Sequence, residues 1–328
     1  MIMKYAVIGT SWITKAFIDA AKTVDGMELV AVYSRTAEKA RGFAEEMGAE
    51  CIYTDLEEFA KSNLFDAVYV ASPNSLHFGQ SKLMLEAGKH VICEKPAAVR
   101  PEEIEELIQL ARSKKLVYME AIMFLHTPWL TMLKEAISKI GRVFSADLNF
   151  SQLSSKYGLY KSGMNPNIFN PEFCTGCLMD IGVYNVYTAL ELFGTPMSLK
   201  AKASLLETGI DACGSSIFDY ADKLVTLTYS KTGQSHAPSQ IFGDKGTVLI
   251  DSISQLEGIR VVYSDGTKET VTGELSRTEI MACEARAFRD FAADYDKHVE
   301  RLYYAQGLSA EVSRIMLRIR EDAGNYPF

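Results

Sequence analysis

Between residues 4 and 120, short apolar runs alternate with stretches whose apolar residues recur at helical spacing. Tyr5-Ala6-Val7-Ile8, Leu29-Val30-Ala31-Val32-Tyr33, Ala67-Val68-Tyr69-Val70-Ala71, His90-Val91-Ile92-Cys93 and Leu116-Val117-Tyr118-Met119 predict strands, with a weaker one at Cys51-Ile52-Tyr53. The patterns between them, such as Lys15 to Ala20 and Glu38 to Ala44, predict helices, and a further helix begins at Pro101. Strands that are apolar nearly throughout and alternate with helices imply a parallel sheet covered on both faces. The expectation for residues 1–121 is a doubly wound α/β domain.

After about residue 121 the pattern changes. A helix from Pro128 to Lys139 leads into a strand over Val143 to Phe150, then a stretch rich in Ser, Asn, Gly and Tyr, then an apolar helix from Leu178 to Phe193. Residues 197–272 read as successive strands punctuated at Thr232-Gly233, Asp244-Lys245-Gly246 and Asp265-Gly266, which predicts an antiparallel meander. Helices near 279–295 and 306–323 finish the chain. Residues 122–328 are therefore expected to form an α+β domain on an open, mainly antiparallel sheet, with the last helix packing back on the first domain.

Composition narrows the partners. The 328 residues are 48% hydrophobic with a net charge of -8, and no basic run appears, which argues against nucleic acid or an anionic membrane as a partner. No apolar stretch is long enough to span a bilayer, and Met1-Ile2-Met3-Lys4 runs straight into a strand pattern without a secretory signal. Six scattered cysteines suit reduced thiols and a cytoplasmic protein. Cys174-Thr175-Gly176-Cys177 lacks a second pair or a nearby histidine to complete a metal site, so no metal is expected.

Glu94-Lys95-Pro96 closes the strand at His90-Val91-Ile92-Cys93. Proline cannot extend a ladder, and a lysine at a strand's carboxyl end stands where open α/β sheets bind ligands. Glu94 is placed to hold or tune that charge; a solvated Lys–Glu pair is the plainer alternative. The turn Gly9-Thr10-Ser11-Trp12-Ile13-Thr14 joins the first strand to the first helix, where a dinucleotide pyrophosphate would meet helix amides. Ser11 and Thr14 replace the second and third glycines of that fingerprint, and an ordinary strand–helix turn fits the same residues. At the end of the second strand Ser34-Arg35-Thr36 offers no acid for a ribose 2′-hydroxyl, whereas Arg35 and the hydroxyls suit a 2′-phosphate. That favours NADP, with NAD still open. Ser72-Pro73-Asn74 ends the fourth strand, and His77 follows as a candidate acid/base or packing residue. Asp180 and Tyr184 share a helix face, one as a carboxylate, the other as a phenol able to take a hydroxyl proton; from spacing alone a helix-dipole Asp and a core Tyr is the plainer reading.

Glu86 to Pro96 closely resembles the most specific segment of the glucose-fructose oxidoreductase/inositol dehydrogenase/MocA (Gfo/Idh/MocA) family. Ala71 to His77, Glu120-Ala121 with Pro128, Ile140 to Val143 and Gly176 to Gly182 resemble its other segments. The resemblance covers nearly the whole chain and implies NAD(P)-linked hydride transfer with a sugar, polyol or cyclic diol. It implies that Lys95 orients the substrate hydroxyl, that Asp180 binds substrate and steadies the lysine, and that Tyr184 serves where many relatives carry histidine. That tyrosine resembles the dimeric dihydrodiol dehydrogenase and xylose dehydrogenase branch. A homodimer or homotetramer through the second domain's sheet is also implied. Two other readings stay open: a cofactor-binding regulator without turnover, and an epimerase or lyase that uses transient hydride transfer.

Overall fold

The computed structural model describes residues 2–273, 275–324 and 326–328. Contacts divide the chain into two compact units, Met1–His126 with Ser276–Ala310, and Thr127–Leu275 with Glu311–Phe328. This division places 122–126 and 276–310 in the first unit, whereas the sequence pattern predicts one cut between 121 and 122.

The first unit begins with β1 (Met3–Ile8), α1 (Trp12–Ala21), β2 (Met27–Tyr33), α2 (Ala37–Met47), β3 (Cys51–Tyr53) and α3 (Leu56–Lys61). It continues through β4 (Ala67–Val70), α4 (Asn74–Glu86), β5 (His90–Glu94), α5 (Pro101–Ser113) and β6 (Tyr118–Ala121). The six strands run parallel in the order β3-β2-β1-β4-β5-β6. The order reverses between β1 and β4, the switch point beyond which such sheets bind ligands. Ala6, Val7, Ala67, Val68, Val70, Val91 and Ile92 have no accessible surface, as strands covered on both faces require. The Phe17 ring stacks on Tyr69, centroids 3.9 Å apart with planes 6° from parallel. Each such buried ring contributes about 1.5–3 kcal/mol.

The second unit contains α6 (Pro128–Lys139), β7 (Val143–Ser151), α7 (Tyr157–Lys161), a π-helical turn (Leu178–Gly182), α8 (Val183–Phe193), β8 (Ser198–Leu205), β9 (Asp211–Asp219) and β10 (Leu224–Ser230). The strands β11 (Ser239–Gly243), β12 (Gly246–Ile250), β13 (Arg260–Tyr263) and β14 (Lys268–Thr270) complete it. Its eight strands are ordered β14-β13-β12-β11-β7-β10-β9-β8. All pairs are antiparallel except β7 with β10, which run parallel because a helical crossover separates them in sequence. In β10 burial alternates, Val225, Leu227 and Tyr229 inward, which fits a sheet with one open face. Val183 to Leu190 of α8 are buried all round, as its apolar sequence demands.

The last helices are α9 (Arg277–Ala293) and α10 (Tyr295–Ala323), which starts well before the expected 306. Its early turns bury little apolar surface beyond Leu302, so periodicity gave no signal there. Gln306 fixes it instead, donating to the Tyr118 carbonyl at 3.1 Å and accepting from Arg112 Nε at 2.8 Å.

Candidate active site

The first unit gathers three loops at the carboxyl ends of β1, β2 and β4. Gly9 has φ +108°, and a Cβ there would stand 2.5 Å from the Ala71 carbonyl oxygen, so only glycine lets these two loops approach. Ser11 is the N-cap of α1 with no side-chain capping bond; its hydroxyl lies 3.3 Å from that of Thr14. Thr14 is fully buried at the third fingerprint position. Thr10 and Ile13 complete the turn, and Trp12 is 66% exposed with the Arg277 guanidinium over its ring at 5.3 Å. Ser34 donates its amide to the Tyr53 carbonyl, and Arg35 is exposed beside it. A glycine cradle, a free helix N-terminus and a cationic β2 terminus without an acid fit a dinucleotide carrying a 2′-phosphate.

Lys95 follows the last residue of β5 and is half-buried. Its loop is fixed from both sides. The Ala97 amide donates to Glu120 Oε1 at 3.0 Å, and the Lys95 amide to Glu94 Oε2 at 3.3 Å. Glu94 is buried and accepts the Tyr69 hydroxyl at 2.5 Å, so a carboxylate at the end of β5, one residue before the lysine, ties β5 to β4. Glu284 of α9 is fully buried near it, with neither carboxyl oxygen hydrogen-bonded among the described residues. Burial first, then the Glu94 charge, raises the Glu284 pKa well above the ordinary carboxylate value.

His77 meets a different setting from that of a cleft acid/base. Its ring is buried, Nδ1 2.9 Å from the Pro96 carbonyl and Nε2 2.7 Å from the Ser72 carbonyl. Burial pushes its pKa down against the pull of both carbonyls. Both partners are acceptors, so the neutral ring donates to one carbonyl at a time, and the side chain lies wedged between the β4 loop and the β5 loop. Ser72 itself donates to Gln80 Oε1 at 2.6 Å, Pro73 is the N-cap of α4, and Asn74 opens that helix.

In the second unit Asp180 and Tyr184 sit at the start of a long helical segment whose first turn is π-helical. Π-turns widen the backbone locally and recur at functional sites. Its N-terminus is held by Asp211, the fully buried first residue of β9. The Cys177 and Leu178 amides donate to Asp211 Oδ1 and Oδ2 at 2.8 and 2.7 Å. These are donors that a helix leaves without an intrahelical partner. Gly176, φ +134°, must be glycine, since a Cβ would stand 2.1 Å from Asp211 Oδ1. Burial raises the Asp211 pKa, and the two amides pull it back. Asp180 forms an ion pair with Lys231, which lies just past β10. Tyr184 is nearly buried, its ring 5.9 Å from that of Phe150.

The loop carrying Tyr157 and Tyr160 folds over Phe169, with ring centroids 6.0 and 5.4 Å away. The Thr175 hydroxyl, 3.1 Å from both the Asn167 and Asn170 carbonyls, fastens this loop to the segment before Gly176.

Sequence reasoning singled out Lys95, Asp180 and Tyr184 and passed over Asp211, Lys231 and Glu284. Asp211 and Lys231 act on partners at least 33 positions away, and Glu284 stands in an otherwise ordinary helix pattern. A buried charge at a strand end was the one available signal, and Asp211 and Lys231 both carry it.

Residues 3–122 match the model of the oxidoreductase family with NAD-binding Rossmann fold, and residues 131–249 match that of the GFO/IDH/MocA C-terminal domain. The chain is 42% identical over 270 residues to scyllo-inositol 2-dehydrogenase (NADP(+)) IolU of Bacillus subtilis (strain 168), covering 82% of each chain. It is 38% identical over 323 residues to the oxidoreductase YgjR of Escherichia coli (strain K12), covering 98% of this chain and 97% of that one. The fold superposes on KijD10, a 3-ketoreductase from Actinomadura kijaniata solved with NADP and TDP-benzene, with a TM-score of 0.87, 21% identity and 98% coverage of both chains.

Proposed function

The chain belongs to the Gfo/Idh/MocA oxidoreductases, and we propose that it is an NADP-preferring dehydrogenase of polyols, sugars or cyclic diols. The observation that carries this reading is Lys95, half-buried at the carboxyl end of β5 with its loop fixed by Glu94 and Glu120. IolU, an NADP-linked inositol dehydrogenase by name, supports both the cofactor and the polyol class.

When bound, the nicotinamide supplies the hydride acceptor or donor. Gly9, Thr10, Ser11, Trp12 and Ile13 hold the pyrophosphate, and Ser34 and Arg35 the 2′-phosphate. Ser72, Pro73, Asn74, Glu94 and Lys95 form the surroundings of the nicotinamide end, with His77 bracing two of those loops. Lys95 donates to the reacting hydroxyl oxygen and stabilises its developing negative charge. Tyr184 takes the hydroxyl proton in oxidation and returns it in reduction. Asp180 accepts a hydrogen bond from a substrate hydroxyl.

The open face of the second unit's sheet exposes Ile217 and Leu224, 49% and 51% accessible, which supports a homodimer or homotetramer through that face. Six free cysteines support a cytoplasmic setting, and among the described residues no helix is long and apolar enough to cross a membrane.

Lys95→Met tests the assignment. Initial rates with NADP+ across a panel of polyols and diols should fall roughly 10²- to 10⁴-fold, while fluorescence titration shows NADPH affinity retained. Undiminished turnover in that variant overturns the proposal. NADPH binding by the wild type without turnover on any panel member would instead mark a regulator.

A further inference from the structure

Lys231 is a buried cation with unused hydrogen-bonding capacity. Its side chain keeps 9% of its accessible surface, and that of Asp180, with which it pairs, keeps 27%. Lysine is among the residue types most rarely buried, and an ammonium brings three donors. Among the described residues Lys231 Nζ has one partner, the Asp180 carboxylate. A desolvated ammonium with two donors unfilled is costly unless something polar takes them.

The backbone holds this lysine in place rather than letting it follow solvent. The Lys231 amide donates to the Ala212 carbonyl at 2.9 Å, and its carbonyl accepts the Ser154 amide at 2.9 Å. Ser154 opens the loop that carries Tyr157 and Tyr160, so Lys231 stands between β9 and that loop. The neighbouring polar groups are already engaged or uncharged. Both Asp211 oxygens are taken by the Cys177 and Leu178 amides. Burial, then Asp211, keeps the Cys177 thiol protonated, with Lys231 pulling the other way.

We propose that Lys231 and Asp180 together recognise two adjacent hydroxyls of the substrate. The ammonium donates to one hydroxyl oxygen, and the carboxylate accepts from the O–H of its neighbour. The ion pair sets a three-donor ammonium beside an acceptor-only carboxylate, and adjacent hydroxyls of a gauche diol present one oxygen to accept from the first and one O–H to donate to the second. The substrate class narrows to vicinal diols, on a ring or an open chain, in preference to isolated alcohols. This inference rests on Asp180 being a substrate-binding residue, as proposed above, and adds Lys231 as a specificity-determining one.

The test uses the full chain, NADP+, trans-1,2-cyclohexanediol and cyclohexanol. The wild type should prefer the diol by about 10- to 100-fold in kcat/KM, the range a charge-assisted hydrogen bond supplies. Lys231→Met should shrink that preference to within about threefold, mainly through KM for the diol, and Lys231→Arg should restore most of it. Calorimetry on the NADP-loaded enzyme should show diol binding lost in the Met variant, and a thermal melt checks that the variant is folded. Equal losses on both alcohols, with the preference intact, would mean that Lys231 only holds Asp180 in place, and would overturn the inference. So would a wild type that turns over both alcohols without preference. If the wild type neither binds NADPH nor consumes NADP+, the dehydrogenase reading itself has failed, a result separate from the diol preference.

Discussion

Lys95 and Asp180 are delivered by opposite constructions. Lys95 ends a strand in a parallel sheet, and its height and direction follow from where β5 stops; its neighbours Glu94, Pro96 and Ala97 meet Tyr69, His77 and Glu120, each pair no more than 25 positions apart. Asp180 rides on the first turn of a helical segment whose amides are held by Asp211, 34 residues from Cys177, while Lys231 pairs its carboxylate from 51 residues away. A strand end in a doubly wound sheet thus draws its supports from the adjoining strands and the helix between them. A helix N-terminus lying on an open sheet needs distant strands to set its angle and its charge.

That contrast can be broken most forcefully at Asp211. Asp211→Ala strands two buried amides and should cost about 3 kcal/mol of unfolding free energy, measured by denaturant titration. Asp211→Asn keeps the shape but loses one acceptor. It should lower kcat/KM for substrate about tenfold while the NADPH dissociation constant holds, because the dinucleotide loops lie in the other unit. An equal loss of cofactor affinity would refute the division of labour. The counterpart in the first unit is Arg35→Ala, expected to weaken NADP by about 2 kcal/mol, or roughly 30-fold, and to leave NAD affinity and substrate KM nearly unchanged. Equal weakening of both dinucleotides would remove the 2′-phosphate assignment.

The smallest effect concerns pH. His126, at the end of the first unit's leading segment, has Nε2 buried without a hydrogen-bond partner among the described residues. Burial, then the Arg301 charge, lowers its pKa from 6.5 to about 4. The unfolded chain therefore takes up a proton between those values that the folded chain refuses. Stability is full above pH 6.5 and declines as pH falls toward 4. Since the ring is only half-buried as a whole, the loss between pH 7 and pH 5 should be about 1 kcal/mol. Melting curves of His126→Phe should flatten over that interval, and an unaltered slope would assign the acid sensitivity elsewhere.

Much of the first unit was legible because parallel strands buried on both faces leave unbroken apolar runs, and a proline or glycine marks each exit. The parallel pairing of β7 with β10, inside what reads as a meander, was not legible. Residue patterns report which face is buried and carry no information about which neighbour a strand chooses. The early turns of α10 escaped for a related reason, since Gln306 rather than an apolar stripe anchors them. At His77 the residue type pointed to proton transfer, while two carbonyls from different loops turned it into a brace.

By itself the sequence determined the alternation of strand and helix, the glycine at the first turn, the lysine at the end of β5 and the Asp-Tyr pair one helical turn apart. These are local, written in periodicity and in residues that only certain backbone geometries accept. Only the tertiary structure decided that Asp211 grips the helix amides, that Lys231 pairs with Asp180 and that Glu284 is buried within reach of the Glu94 charge. The reason is that desolvation and hydrogen-bond partnership belong to the space around a side chain, and that space is filled by residues far along the chain.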